Sequence, residues 1–130
     1  MPSTLPISSG EDVVRVRQEV RTASVDAGFS LVDQTKFVTA ASELARNTLT
    51  HGGGGRVHIE PFLMEGKKGV RLVFEDDGPG IDDVQRALQD GYSTGGGLGL
   101  GLSGARRLSN EFRIESTSGK GTRVTIARWK

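Results

Sequence analysis

Four consecutive glycines, Gly52 to Gly55, and nine more between Gly78 and Gly104 restrict this chain more than any other feature. The 130 residues include 19 glycines, against roughly nine expected at the usual frequency of about 7%. Each glycine costs backbone entropy on folding, so clustering at this level calls for a structural reason. A flexible linker would be the plain one, yet the clusters are interleaved with Leu, Asp and Thr in ordered patterns. They read instead as places where backbone turns tightly or approaches a neighbour closely. The length suits a single domain over 1–130, and 35% hydrophobic with 25% charged residues permits a buried core.

Charge and cysteine content narrow the function classes. Seventeen Lys and Arg face sixteen Asp and Glu, interspersed, for a formal charge of +1. That balance gives no basic arm for nucleic acid and no polybasic patch for a membrane. The absence of cysteine removes disulfide frameworks, thiol nucleophiles and cysteine-ligated zinc, and fits a reducing interior. No apolar run approaches the ~18–20 residues of a membrane span. The start, Met-Pro-Ser-Thr-Leu-Pro, lacks a basic and apolar signal pattern, so a cytoplasmic protein is expected.

Periodicity places the elements. Thr4 to Ser8 predicts a short strand. Ser9 stands as an N-cap before a helix over Glu11 to Ala27, with Val13, Val16, Val20 and Ala23 on one face and Gly28 as its stop,. Ser30 caps a second helix over Leu31 to about Thr50, with Phe37, Val38, Ala41, Leu44 and Ala45 as its apolar stripe,. Arg56 to Met64 alternates as a strand with Val57, Ile59 and Phe62 inward. Glu65 to Gly69 then turns the chain and Val70 to Phe74 returns it. Asp82 and Gln85 mark a short helix start. A further helix runs from about Leu98 or Gly99 to Asn110, and strands over Phe112 to Ser116 and Arg123 to Trp129 close the chain. Helices and strands grouped in this way predict an α/β (α+β) two-layer sandwich, helices on one face of a mixed sheet.

Three constellations carry chemistry. Glu43 and Asn47 lie four residues apart on the second helix, so both project from one face, roughly opposite Ala41 and Leu44. A carboxylate beside a carboxamide oxygen suits one proton acceptor and one hard-cation ligand. Asp76-Asp77-Gly78-Pro79-Gly80 follows an apolar strand, so an acceptor at a strand end is joined to backbone that can approach a flat ring,. Gly95 to Leu102, with glycines at 95, 96, 97, 99 and 101, leads into a helix and offers bare N–H groups to an anion,. Neither the P-loop nor the dinucleotide fingerprint is satisfied by that run. His51 and His58, seven residues apart, have no third ligand near them for zinc, and helix-end and surface roles are expected.

In this order, Glu-x-x-x-Asn, Asp-x-Gly-x-Gly and Gly-x-Gly-x-Gly resemble the three boxes of the GHKL (Bergerat-fold) ATP-binding superfamily. The terminal Gly119-x-Gly121-Thr122 resembles the further family element before the last strand. Ser42 to Asn47, Glu75 to Ile81 and Gly91 to Gly99 are most similar to the small anti-sigma-type serine/threonine kinases of bacteria that act as stressosome switches.

The resemblance implies roles residue by residue. Asp76 would take the adenine amine, with Gly78, Gly80 and Ile81 shaping the base pocket and Thr122 supporting it. Asn47 would ligate Mg2+ between the phosphates of ATP. Glu43 would be the general base for a serine or threonine hydroxyl. Gly97, Leu98, Gly99, Leu100 and Gly101 would hold the phosphates with backbone. Two departures stand out: the stretch between Ile81 and Gly95 is short for an ATP lid, and Thr94, Gly95 and Gly96 stand where some relatives carry an arginine. Arg46 and Arg106 are the cations available in its place. The implied function is an ATP- and Mg2+-dependent protein kinase acting as a switch on STAS-domain proteins, with a phosphatase as a second partner class. The alternative is an anti-sigma factor that sequesters a sigma factor and holds ATP as a structural ligand. A sensor histidine kinase would need a phospho-acceptor domain.

Overall fold

A computed structural model describes residues 2–80 and 102–130. In chain order it forms β1 (Ser3–Ile7), α1 (Gly10–Asp26), α2 (Leu31–Thr50), β2 (Gly55–Met64), β3 (Lys67–Asp76), α3 (Leu102–Arg107), β4 (Glu111–Thr117) and β5 (Gly121–Trp129). Both long helices begin where their caps predict. Ser9 Oγ accepts from the Asp12 N–H at 3.3 Å, and Ser30 Oγ from the Asp33 N–H at 3.1 Å, each satisfying a donor that has no partner within its helix. The short helix expected after Asp82 and the start of the one before Asn110 fall outside the described residues.

The strands lie in the order β1-β2-β3-β5-β4. The sheet was expected to be mixed, but every pairing among the described residues is antiparallel. The connection through α3 does bring β4 into the direction of β3. β5 then folds back from β4 and slots between the two, so the parallel-running strands are not neighbours. The turn after β2 is also tighter than expected. Only Glu65 and Gly66 form it, both with positive φ (51° and 82°), a geometry whose twist matches that of the flanking strands.

The helices cover one face of the sheet. Val13, Val16 and Val20 of α1 and Phe37, Val38, Ala41, Leu44 and Ala45 of α2 are buried there. They meet Ile7, Val57, Ile59, Val70, Leu72, Phe74, Val124 and Ile126 of the strands. Burying side chains of this size is worth roughly 1.5–3 kcal/mol each before entropy is counted, and it fixes α2 across β3 near the strand end that carries Asp76. Phe62, expected inward, is on the other face because it is out of phase with Val57 and Ile59. There its ring lies under the Arg71 guanidinium (4.4 Å to the centroid) and edge-on to Trp129.

That other face carries a charge network centred on Glu75, whose side chain is 15% exposed. His58 Nε2 lies 2.7 Å from its Oε1, Arg123 Nη2 2.8 Å from its Oε2, and Arg56 Nε 3.3 Å from Oε1. Burial alone would raise the Glu75 carboxyl, but the hydrogen bonds from His58 and Arg123 and the charges of Arg56 and Arg123 outweigh it and hold it below its ordinary 4.5. A depressed carboxylate stabilises the fold fully above its unfolded value, and that contribution is lost as pH falls through the folded one. Glu75→Gln should therefore cost about 1 kcal/mol at pH 7. The deficit should shrink in urea melts carried out below about pH 4. A deficit of equal size at both pH values would assign the effect to packing instead.

Candidate functional site

The C-terminal half of α2, the end of β3 and the start of β5 converge on one cavity. It is lined by Leu44, Asn47, Thr48, His51, Phe74, Asp76, Leu102, Thr122 and Val124, and encloses about 30 Å3, room for about one water. Three of the predicted residues thus meet: Asn47 from the helix, and Asp76 and Thr122 from directly opposed positions of the β3–β5 ladder. Leu44, expected on the opposite side of α2 from Asn47, lines the same cavity, because positions three apart are neighbours on a helix. A larger recess of about 700 Å3 lies between α1 and the β2–β3 hairpin. It is mostly apolar and holds none of the predicted site residues, three of which line the smaller cavity.

The Asp76–Gly80 loop is held from three directions. Asp76 Oδ1 accepts from the Gly78 N–H at 2.9 Å, an Asx-type turn that fixes the carboxylate at the strand end,. Pro79 O accepts from the Gly119 N–H at 2.6 Å, tying the loop to the β4–β5 turn. Gly80 O lies 3.2 Å from His51 Nε2. A carbonyl only accepts, so that ring nitrogen carries the proton. Gly78 itself packs backbone to backbone on the end of α2: a Cβ there would stand 2.6 Å from Gly52 O. Thr122 is buried at 9% exposure, and its Oγ1 is 2.9 Å from Ser116 Oγ.

Glu43 stands one turn before Asn47, outside the cavity wall and half-exposed. Its Oε1 is 3.5 Å from Arg46 Nη1. Arg106 is exposed on α3. Ile81, Gly97, Leu98, Gly99, Leu100 and Gly101 lie outside the described residues. His51 was expected at a helix end with no further part, and the structure puts it in the cavity wall. The signal was present in the sequence, since Glu43, Asn47 and His51 recur every fourth residue. His58 pairs with Thr4 and Glu75 on the far face of the sheet. Among the described residues, no group of three or more His, Cys, Asp and Glu could hold a metal ion. No helix there is long and apolar enough to cross a membrane.

Chemically, the site offers an acceptor at a strand end, a hydroxyl opposite it in the ladder and a carboxamide at one side, beside a glycine loop packed against the end of α2. The family model described as "Histidine kinase-, DNA gyrase B-, and HSP90-like ATPase" matches residues 32–130. The serine/threonine-protein kinase RsbT of Bacillus subtilis (strain 168) is 43% identical over 127 residues, 98% of this chain and 96% of the relative. The anti-sigma F factor of Clostridium novyi (strain NT) is 31% identical over 128 residues, 93% of this chain and 87% of the relative. Among solved structures, a mycobacterial sensor histidine kinase, MprB, superposes with a TM-score of 0.50 at 17% identity, covering 99% of this chain and 97% of that one. At that identity the likeness concerns the fold alone.

Proposed function

The chain belongs to the histidine kinase-, DNA gyrase B- and HSP90-like ATPase family, and from that premise we propose that it is a serine/threonine protein kinase that switches a partner protein in bacterial stress signalling. The observation that carries this reading is the opposition of Asp76 and Thr122 across the β3–β5 ladder at a cavity bounded by Asn47. The Asp76 carboxylate accepts from an exocyclic amine such as that of adenine, and Thr122 adds a hydroxyl beside it. The cavity admits only the edge of a base, and the glycines of the 76–80 loop let that loop pack closely on Gly52 and Thr117 beside it,. Asn47, one turn from Glu43, offers a hard oxygen suited to Mg2+, which when bound would neutralise charge on the phosphates. Glu43 accepts the proton of the incoming serine or threonine hydroxyl. The hydroxyl oxygen bonds to the γ-phosphorus while the bond to the β–γ bridging oxygen breaks. Positioning and charge, rather than a covalent intermediate, lower the barrier. The 97–101 backbone would hold the phosphates, and Arg46 or Arg106 would supply a further cation.

The substrate class we propose is a cytoplasmic STAS-domain protein, with a phosphatase as a second partner of the released kinase. Incubation with labelled ATP, Mg2+ and a purified STAS-domain protein should place label on a serine or threonine of the partner. Absence of transfer to any STAS-domain protein, with ATP bound, would favour the second reading, a sigma-factor-sequestering module. The anti-sigma F factor relative supports that alternative, whereas retention of Glu43 favours catalysis. A third expectation concerns the base. Asp76→Asn replaces part of an acceptor by a donor facing the amine, leaving a polar contact unmade at a cost of about 1–3 kcal/mol. ATP affinity should fall about tenfold or more, with little change in the melting temperature of the nucleotide-free protein. Calorimetry showing unchanged affinity would remove Asp76 from the base site.

A further inference from the structure

The Gly52 to Gly55 run and His51 have no part in the kinase reading so far, yet they end α2 directly against the loop that carries Asp76. The last turn of α2 is drawn tight: the His51 and Gly52 N–H groups both donate to Asn47 O, at 3.0 and 3.1 Å. This brings Gly52 onto the Asp76 side chain. A Cβ on Gly52 would stand 2.6 Å from both Asp76 Cβ and Asp76 Oδ2. Gly52 has no left-handed backbone angle, so close approach alone restricts the position. One residue earlier, His51 Nε2–H reaches across to Gly80 O at the far end of the same loop. The loop is thus seated at both ends on one helical turn, and that turn begins at Asn47.

We infer that His51 and Gly52 are positioning residues for nucleotide-base recognition. Gly52 leaves the space in which the Asp76 carboxylate sits, and His51 ties down the 76–80 loop so that the carboxylate and the Asn47 side chain keep a fixed separation. The inference rests on the assignment of Asp76 to the base. It adds that selection of the base depends on the end of α2, several residues beyond the Glu-x-x-x-Asn pattern. His51 lines the cavity and is hydrogen-bonded to the loop from the helix side through Nε2. Its role is therefore separable from that of the residues meant to touch the nucleotide.

Four single variants in the full chain test this. His51→Phe keeps a flat ring and removes the donor, while His51→Gln keeps an N–H donor at similar reach. Gly52→Ala adds the methyl group that meets the Asp76 carboxylate, and Asp76→Asn runs in parallel. His51→Phe and Gly52→Ala should each weaken ATP binding about tenfold while leaving binding of inorganic tripolyphosphate, which lacks a base, within twofold. His51→Gln should restore ATP affinity to within about threefold of the parent. In the nucleotide-free proteins, NMR hydrogen exchange at the Gly78 and Gly119 amides should be about tenfold faster in His51→Phe and near the parent rate in His51→Gln. Parent-like ATP affinity in both His51→Phe and Gly52→Ala, with Asp76→Asn impaired, would overturn the inference and leave the base assignment standing. Normal ATP binding by Asp76→Asn would overturn the base assignment itself. The exchange rates would then still show whether the loop is clamped. Equal losses of ATP and tripolyphosphate binding would mean general damage to the site and would also overturn the positioning role.

Discussion

Glu43→Gln should slow phosphoryl transfer to the partner by about 10²–10⁴-fold, the range over which a positioned general base acts, while ATP binding stays within a few-fold of the parent. The geometry separates the two effects. Glu43 is one turn from Asn47 but outside the cavity wall, and 39% of its side chain is exposed, where a partner hydroxyl can reach it. Gln matches Glu in size and helix propensity, so the backbone of α2 has no reason to move. The substitution does remove the 3.5 Å ion pair with Arg46, itself 57% exposed. An exposed i,i+3 pair is worth a few tenths of a kcal/mol, so the melting temperature should hardly change. Single-turnover transfer from labelled ATP, with calorimetry of ATP binding on the same preparation, reads both numbers. Transfer at the parent rate would place the base on another residue. A parallel loss of ATP affinity would mean that Glu43 serves binding rather than the proton.

The helical half of the fold was legible because its signals are local. Ser9 and Ser30 announce two helix starts within three residues of the amides they cap, and the apolar stripe of α2 predicts the residues found buried. Asn47, Asp76 and Thr122 stood out as candidates because their spacing matches a family pattern, and the fold brings them to one cavity. What escaped was non-local. Nothing within the 111–129 stretch says that β5 pairs with β3 as well as β4, yet that insertion makes the sheet antiparallel and sets Thr122 opposite Asp76. Phe62 misled because its hydrophobicity suggested burial, whereas the period of two from Val57 puts it on the other face. Gly52 was visible only as one of a run. Its neighbour is a side chain 24 positions away, and no pattern along the chain reveals that approach.

Two glycines of the β4–β5 turn share a backbone region but not a neighbourhood. Gly119 and Gly121 both have left-handed φ, 80° and 100°. A Cβ on Gly119 would meet nothing within 4 Å. Gly119→Ala therefore carries only the cost of the left-handed conformation, about 1–2 kcal/mol, and keeps the N–H that donates to Pro79 O. A Cβ on Gly121 would press on the backbone of β3, within 3.0 Å of the Asp76 carbonyl carbon and of Asp77 Cα. Backbone in a sheet cannot swing aside as a side chain does. Gly121→Val adds this overpacking, typically about 1–3 kcal/mol, to a backbone strain of similar size that β-branching makes worse. The sum is roughly 2–5 kcal/mol, or about 8–18 °C in melting temperature for a chain of this length. The damage falls where β5 leaves β3, so Asp76 and Thr122 should separate and ATP affinity should drop by more than tenfold in whatever fraction stays folded. Gly119→Ala should melt only a few degrees below the parent and bind ATP normally. Thermal melts and calorimetry on the two variants side by side decide the matter. Equal destabilisation would mean that φ alone sets the cost, and that the apposition of Gly121 and Asp76 contributes nothing to the site.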